Sequence, residues 1–270
     1  MRIATYNLWN STFNWTQRLA AIVEELAALD ADIVAMQEVP TQATESQPII
    51  DFLREQTGYS HALHLEYPEE PDEGTRREGL ALLSKFPVEN ARANWEDDRA
   101  TSNNWAVKVV MDWTGTSLGV TNVHLDWQQA ASREQHIARI VGELIDKRPC
   151  DYDILCGDFN DDVDCLVARF LEGKALIGTR STQWRDLDHA AQAAHGEVAQ
   201  ITMDFLGNPR WKGKHIDGAS GRFDRIYLRN EGSSRDLRVL RSGLFAKEPT
   251  NRFGIVPSDH YGVFVDLDEP

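Results

Sequence analysis

Positive charge is scarce in this chain. Its 270 residues include 28 Lys and Arg against 43 Asp and Glu, for a net charge of −15. That balance argues against a tight, sequence-independent grip on a nucleic-acid backbone, which needs a basic surface. It still permits one phosphate to be held inside an acidic protein by a cation and a small basic patch. Cysteine is scarce as well. Cys150, Cys156 and Cys165 are an odd number without metal-site spacing, so they read as free thiols of a reducing, cytoplasmic environment. Long apolar runs are missing: none approaches the roughly 20 residues of a membrane span. The opening Met1 to Asn7 reads as a strand rather than a signal peptide. The expectation is therefore no stable membrane association, and no protein partner is evident. With no internal repeat and no Pro/Gly/Ser linker, one domain over residues 1–270 is expected.

What remains is an ordinary globular composition, 41% hydrophobic and 26% charged, on a chain long enough to bury a sizeable core. Apolar runs alternate with amphipathic stretches. Strands are expected at Arg2 to Trp9, Ile33 to Val39, Gly79 to Leu83, Ala106 to Asp112, Ser117 to Leu125, Tyr152 to Cys156, Arg222 to Arg229, Leu237 to Leu240 and Tyr261 to Leu267. Helices are expected at Thr16 to Leu29, Pro48 to Gln56 and Ser132 to Lys147, the last capped by Ser132. The pair around Thr114-Gly115 reads as a hairpin. Adjacent antiparallel pairs mixed with helical crossovers imply an α/β (α+β) fold of two packed mixed sheets with helices outside.

The chemistry-bearing residues sit where these strands end. Asn7 follows the first, Glu38 the second and His124 the strand from Val120; Asp158 and Asn160 come just after Cys156, Asp224 lies in Arg222-Phe223-Asp224-Arg225, and Asp259 and His260 close the series. Taken singly, each has a plainer reading. Asn7 is a turn residue, Glu38 a solvated carboxylate, Asp158 a loop cap, His124 a satisfied core histidine and Asp224 a member of a surface ion pair. Carboxylates, amides and histidines at six strand ends together point to a divalent-metal hydrolase.

The same residues carry a resemblance. Tyr6-Asn7-Leu8-Trp9, Met36-Gln37-Glu38-Val39, Thr121-Asn122-Val123-His124-Leu125, Gly157-Asp158-Phe159-Asn160, Arg222-Phe223-Asp224-Arg225-Ile226 and Ser258-Asp259-His260 resemble, in order, the motif set of the endonuclease/exonuclease/phosphatase superfamily. Arg222 to Tyr227, Phe253 to Pro257 and Thr202-Met203-Asp204 are most similar to its 5′-tyrosyl-DNA phosphodiesterase branch, with Met203 where that branch has Trp. The resemblance implies a four-layer αββα sandwich and a Mg²⁺-dependent phosphoric ester hydrolase, with Mn²⁺ as a substitute cation.

The resemblance also implies roles. Glu38 is the main Mg²⁺ ligand, with Asn7 and Asp259 nearby, directly or through water. Asp158 orients or deprotonates the attacking water, and Asn160 helps hold it. His260 donates to a phosphate oxygen with Asp224 fixing its tautomer, and His124 adds a second phosphate contact. Zinc is disfavoured by the lack of a His-rich or Cys-rich cluster. Candidate substrate contacts are Trp9, Trp127, Arg133 and Trp211, the last within a basic run of Arg210, Lys212, Lys214 and His215. Each also reads as core packing, loop anchoring or solvated surface. His61, His64, His136, His189 and His195 read as ordinary loop or helix residues. The substrate is a phosphodiester, with nucleic acid among the candidates. A nuclease, a small-phosphoester phosphatase and a sphingomyelinase-like enzyme are the alternatives. A non-catalytic binding module would typically have lost one of Glu38, Asp158, Asn160, Asp224 and His260, and all are present. The stretch from His189 to Gly221 has no assignable role from sequence.

Overall fold

The computed structural model describes residues 1–67, 73–93, 106–196, 200–216, 218–232, 235–250 and 252–270. The ring of His195 falls outside the described side chains. Among the described residues, twelve of fourteen strands build two six-stranded sheets, with α-helices on their outer faces.

Sheet one is ordered β13 (Val239–Phe245), β14 (Gly262–Leu267), β1 (Arg2–Asn7), β2 (Ile33–Pro40), β6 (Glu78–Ser84) and β5 (His61–Glu66). Sheet two is ordered β11 (Arg185–Asp186), β12 (Asp224–Arg229), β10 (Tyr152–Asp158), β9 (Thr116–His124), β8 (Ala106–Trp113) and β7 (Glu89–Ala93). Only β3 (Gln42–Thr44) and β4 (Gln47–Pro48) stand apart, as a small hairpin. Each large sheet has one parallel pair at its middle, β1 with β2 and β9 with β10, and antiparallel neighbours on both sides.

Strand periodicity explains the layering. Ile3, Ile33 and Ala35 face sheet two, whereas their neighbours Ala4, Val34 and Met36 face the helix side. Both faces are buried, so these strands read as continuous apolar runs rather than alternating ones. The inter-sheet layer joins Val109, Val120, Ile154, Cys156, Ile226 and Val265. Outside sheet one lie α1 (Trp15–Leu29) and α2 (Ile49–Thr57), through Leu19, Ile22, Leu26, Ile49 and Leu53. Outside sheet two, Ile137 of α3 (Ala130–Arg139) and Val167 and Phe170 of α4 (Leu166–Leu171) cover Val123, Leu155 and Tyr227. A fifth helix, α5 (Leu187–His195), packs by β12 and β13. The described residues thus form the αββα sandwich, and no helix among them is long and apolar enough to cross a membrane.

Several boundaries differ from the sequence expectation. The third helix starts at Ala130 after an N-cap at Gln129, and the Ser132 hydroxyl faces the His136 ring at 3.3 Å instead of capping. It passes at Ile140 into a wide π-type segment ending at Ile145, where Ile140, Val141, Leu144 and Ile145 are all buried. The expected strand at Leu237 to Leu240 is displaced to Val239–Phe245, because β14 offers its ladder over that span. The Thr114-Gly115 turn is a two-residue hairpin with both φ values positive, 54° and 85°. Cys150 and Cys156 are buried, Cys165 is half-buried, and all three are free thiols.

Candidate active site

Parallel strands of both sheets deliver their C-terminal ends to the same edge of the sandwich. In sheet two, His124, Asp158 and Asp224 stand directly opposite one another on β9, β10 and β12. The register therefore makes a row of three ionisable groups before any side-chain contact is considered. Asp158 and Asp224 are wholly buried and His124 is nearly so. Gly157 makes the close approach possible: its φ is +141°, and a Cβ there would lie 1.9 Å from the Val123 carbonyl oxygen.

In sheet one, the pairing of β1 with β2 ends at Asn7 and Gln37. The β2–β6 ladder then breaks between Met36 and Val39, and Glu38 sits at φ 50° in that bulge. The bulge turns the Glu38 carboxylate toward the edge, where it is about a quarter exposed. Its Oε2 accepts the Asn10 N–H at 2.8 Å and its Oε1 the Asn7 amide at 3.0 Å. The same Asn7 Nδ2 donates to Asp158 Oδ2 at 3.0 Å, so one amide ties the two sheets together. Trp9 N–H donates to Asn7 Oδ1 at 2.9 Å and fixes which way that amide points.

His260 crosses between the sheets. It precedes β14 of sheet one, yet its Nδ1 lies 2.8 Å from Asp224 Oδ2 and its Nε2 3.7 Å from Asp158 Oδ2. Burial alone would lower the ring, but the Asp224 and Asp158 carboxylates outweigh it and hold His260 well above the ordinary histidine range. Burial, reinforced by the charge of Asp158, raises Asp224. Both directions describe one proton retained on the Nδ1–Oδ2 hydrogen bond, and we assign it to the imidazole. Asp158 goes the other way: burial would raise it, but His260, His124 and donors from Asn160 and Asn7 bring it below the usual carboxylate range. Asn160 N–H donates to Asp158 Oδ1 at 2.8 Å, and its Nδ2 donates to the Leu125 carbonyl. His124 Nε2 lies 3.7 Å from Asp158 Oδ2 and 3.9 Å from Glu38 Oε1.

Asp259 completes the edge. Its carboxyl is pushed up to about 6, first by burial and against the pull of His260, with the negative charge of Glu38 adding to the rise. Glu38 Oε1 and Asp158 Oδ2 share the Asn7 amide, and the charge of Glu38 reaches the buried Asp259. Asp158, Asp224 and His260 place ligand atoms within 4.8 Å of one another. This set is already joined by its own hydrogen bond and carries a ring that resists losing its proton.

Within the stretch from His189 to Gly221, whose role was open from sequence, residues 202–211 reach this edge. Thr202 Oγ1 accepts the N–H groups of Phe223 and Asp224 at 3.0 Å, fixing the start of β12. Met203 bridges to both Gly221 and His260. Asn208 donates to the Ser258 carbonyl and the Trp211 indole to that of Asp259. Sequence reasoning singled out Thr202-Met203-Asp204 only by likeness; a Thr at 1% exposure had no separate signal.

The four candidate substrate contacts are not alike. Trp127 is 66% exposed on the loop after His124. Trp9 already has Arg18 over its ring at 4.4 Å, with Lys214 at 5.3 Å and Arg210 at 5.8 Å. Trp211 packs edge-on to Phe205 with Lys214 over its ring at 4.7 Å. Arg133 is turned inward, donating to the Asp126 carbonyl and to Asp161 Oδ2 at 2.6 Å. Nor do Arg222 and Arg225 pair with Asp224. Arg222 binds Asp186 and Asp188, and Arg225 holds the Asp161 carbonyl and the Tyr227 hydroxyl. A recess of about 910 Å³ opens elsewhere, lined by Trp184, His189 and Arg229 among others, and includes none of the edge residues.

Comparison with known proteins places this geometry. The model of the Endonuclease/Exonuclease/phosphatase family matches residues 4–260. The chain belongs to that family. Its members are generally phosphoesterases and nucleases that use divalent metals. No curated protein compared by sequence matches it. Among solved structures, it is similar to zebrafish (D. rerio) TDP2 complexed with a single-strand DNA product, at 18% identity and TM-score 0.73, covering 99% of this chain and 98% of that one. Caenorhabditis elegans TDP2 aligns at 20% identity and TM-score 0.73, over 99% of this chain and 74% of that one. A protein of unknown function from Enterococcus faecalis aligns end to end at 19% identity and TM-score 0.69. What these neighbours share with the chain is the fold.

Proposed function

We propose that this chain is a Mg²⁺-dependent phosphodiester hydrolase acting on nucleic-acid ends, with Mn²⁺ as a substitute cation. The observation that carries the reading is the Asp224–His260 pair set against Asp158, linked through Asn7 to Glu38. Glu38 and Asp259 would hold the cation, with Asn7 between them and the row of sheet two. Asp259 is raised first by burial and further by the charge of Glu38, and a cation shared by the two carboxylates would relieve that opposition. When bound, the cation supplies positive charge beside a phosphate oxygen as the ester bond breaks.

The chain's own residues account for the rest. Asp158, held ionised and fixed by Asn160 and Asn7, accepts a hydrogen bond from the attacking water and aligns it. A carboxylate below its usual range is a weak base, so Asp158 contributes alignment more than basicity. His260 stays protonated against Asp224, which leaves its Nε2–H to donate to a non-bridging phosphate oxygen. His124 supplies a second donor on the other side of Asp158. Asp224, held by Thr202, keeps the His260 ring in one orientation.

Nucleic acid is the substrate class we favour. Arg210 and Lys214 concentrate positive charge around Trp9 and Trp211 beside Asp259, in a protein that is acidic elsewhere. Trp127 offers an open ring on the loop after His124. The DNA product held by zebrafish TDP2 supports the same class, and a 5′-phosphotyrosyl DNA end is the leading candidate. The test is hydrolysis of bis-p-nitrophenyl phosphate with Mg²⁺ and with EDTA, followed by 5′-phosphotyrosyl DNA, abasic DNA, single-stranded DNA and RNA. Metal-dependent turnover with preference for a DNA end is expected. No turnover on any phosphodiester, or an active His260→Ala variant, would sink the reading.

A further inference from the structure

Arg18 lies in the first turns of α1 and is wholly buried, although a charged side chain at that place in a helix would ordinarily face solvent. Its guanidinium is consumed by backbone carbonyls from two separate loops. Nε donates to Pro257 O at 2.7 Å, Nη1 to Ser11 O at 2.9 Å, and Nη2 to both Leu8 O and Trp9 O. The indole rings of Trp9 and Trp15 flank it at 4.4 and 5.6 Å.

Those loops are the ones that place the candidate cation ligands. In the first, Trp9 N–H orients Asn7 and Asn10 N–H holds Glu38. The second continues from Pro257 into Ser258, whose hydroxyl donates to the Asn7 carbonyl, and then into Asp259. The planar fork of arginine can meet four carbonyls at fixed angles, whereas a lysine ammonium on a flexible stem cannot. Arg18 touches none of the candidate ligands through hydrogen bonds of its own.

We infer that Arg18 is a positioning residue for the cation site: its guanidinium clamps the Leu8–Ser11 and Pro257–Asp259 backbones so that Asn7, Glu38 and Asp259 converge. This rests on the cation reading above, but not on hydrolysis. The test is Mn²⁺ binding by calorimetry on the full chain. Arg18→Lys keeps the charge and loses the fork, and should weaken Mn²⁺ binding by about tenfold, the usual cost of removing a group that orients metal ligands. Leu26→Ala, which opens a cavity on the same helix, should lower Tm comparably and leave Mn²⁺ affinity at the wild-type value. Wild-type affinity in Arg18→Lys overturns the inference, as does equal weakening in Leu26→Ala. If Arg18→Lys does not fold, the wild-type Arg18 guanidinium NMR signals are followed during a Mg²⁺ titration. They should shift with the binding isotherm, and signals that do not move overturn the inference. A chain that binds Mn²⁺ in this way yet hydrolyses no phosphodiester removes the proposed function and leaves the role of Arg18 standing.

Discussion

The two sheets repeat one hydrogen-bonding pattern, a central parallel pair flanked by antiparallel strands, and finish it differently. Sheet two ends flush: His124, Asp158 and Asp224 are still in register, and all are buried. Sheet one ends in irregular backbone, with Glu38 at φ 50°, Trp9 at φ 58° and a bulge between Met36 and Val39. The regular end fixes ionisable groups tightly enough to set their protonation against one another. The irregular end leaves a carboxylate partly open, as ligand exchange with water requires. On the function proposed above, the closed side would serve phosphate and protons and the half-open side a cation.

Removing groups from the two ends should have separable consequences, and these are the largest expected. His260→Ala, or Asp158→Asn, should lower kcat on bis-p-nitrophenyl phosphate by about 10³-fold, within the span typical of lost proton-transfer and oxyanion groups. Added Mg²⁺ should not restore it. Glu38→Gln should lower the rate at fixed low Mg²⁺ by about a hundredfold, since cation affinity follows ligand charge, and millimolar Mn²⁺ should recover part of the loss. Steady-state rates across a metal titration check both. Equal recovery in the His260 and Glu38 variants would erase the distinction between the sheet ends.

The regular end was the more legible in the sequence. Ile154 to Gly157 is an apolar run that stops at Asp158, the trace a buried parallel strand leaves, whereas Val120 to His124 already carries the polar Thr121 and Asn122. Glu38 was legible as a position, but not its left-handed backbone, which depends on the β6 partner. Arg18 was invisible, because helical periodicity assigns arginine to water and only the carbonyls of distant loops make it a buried residue. Arg225 and Lys108 share that fate, wholly buried against Asp161 O and Asp153 respectively. Ser132 shows the converse error: a strong local capping signal was overridden once the chain entered the helix at Ala130. The described parts of His189 to Gly221 carry no long periodic pattern, and their meaning lies in contacts some 50 residues away, such as Asn208 to Ser258.

Backbone strain offers a sharper contrast at lower cost to activity measurements. Gly157→Ala would force a Cβ into the Val123 carbonyl at a φ that L residues avoid, and the two strands of the regular end cannot separate without losing their ladder. A loss of about 3 kcal/mol is expected, from the clash and the unfavourable φ combined. By comparison, Gly115→Ala has the same kind of positive φ but open space around the new methyl, so it should cost about 1 kcal/mol. Urea denaturation separates the two. Similar losses would mean that the β9–β10 end is more pliable than its register implies.

The smallest effect concerns pH on the sheet-one side. His64 on β5 is half-buried, and its Nε2 meets the Val39 carbonyl at 3.2 Å, one residue beyond Glu38. Burial lowers its pKa despite that hydrogen bond and the nearby charge of Glu66. The folded ring therefore stays neutral at a pH where the unfolded ring already takes up a proton. Native protein then binds fewer protons than unfolded protein, so this contribution is fully present above the unfolded value of 6.5 and is lost as pH falls through it. His64→Gln keeps a donor for Val39 without the titration, so its Tm should fall less than that of wild type between pH 7.5 and 5.5, by about 1–2 °C. Identical pH slopes for the two proteins would show that the ring is hydrated in solution, and that the irregular end of sheet one is open to water as far as β5.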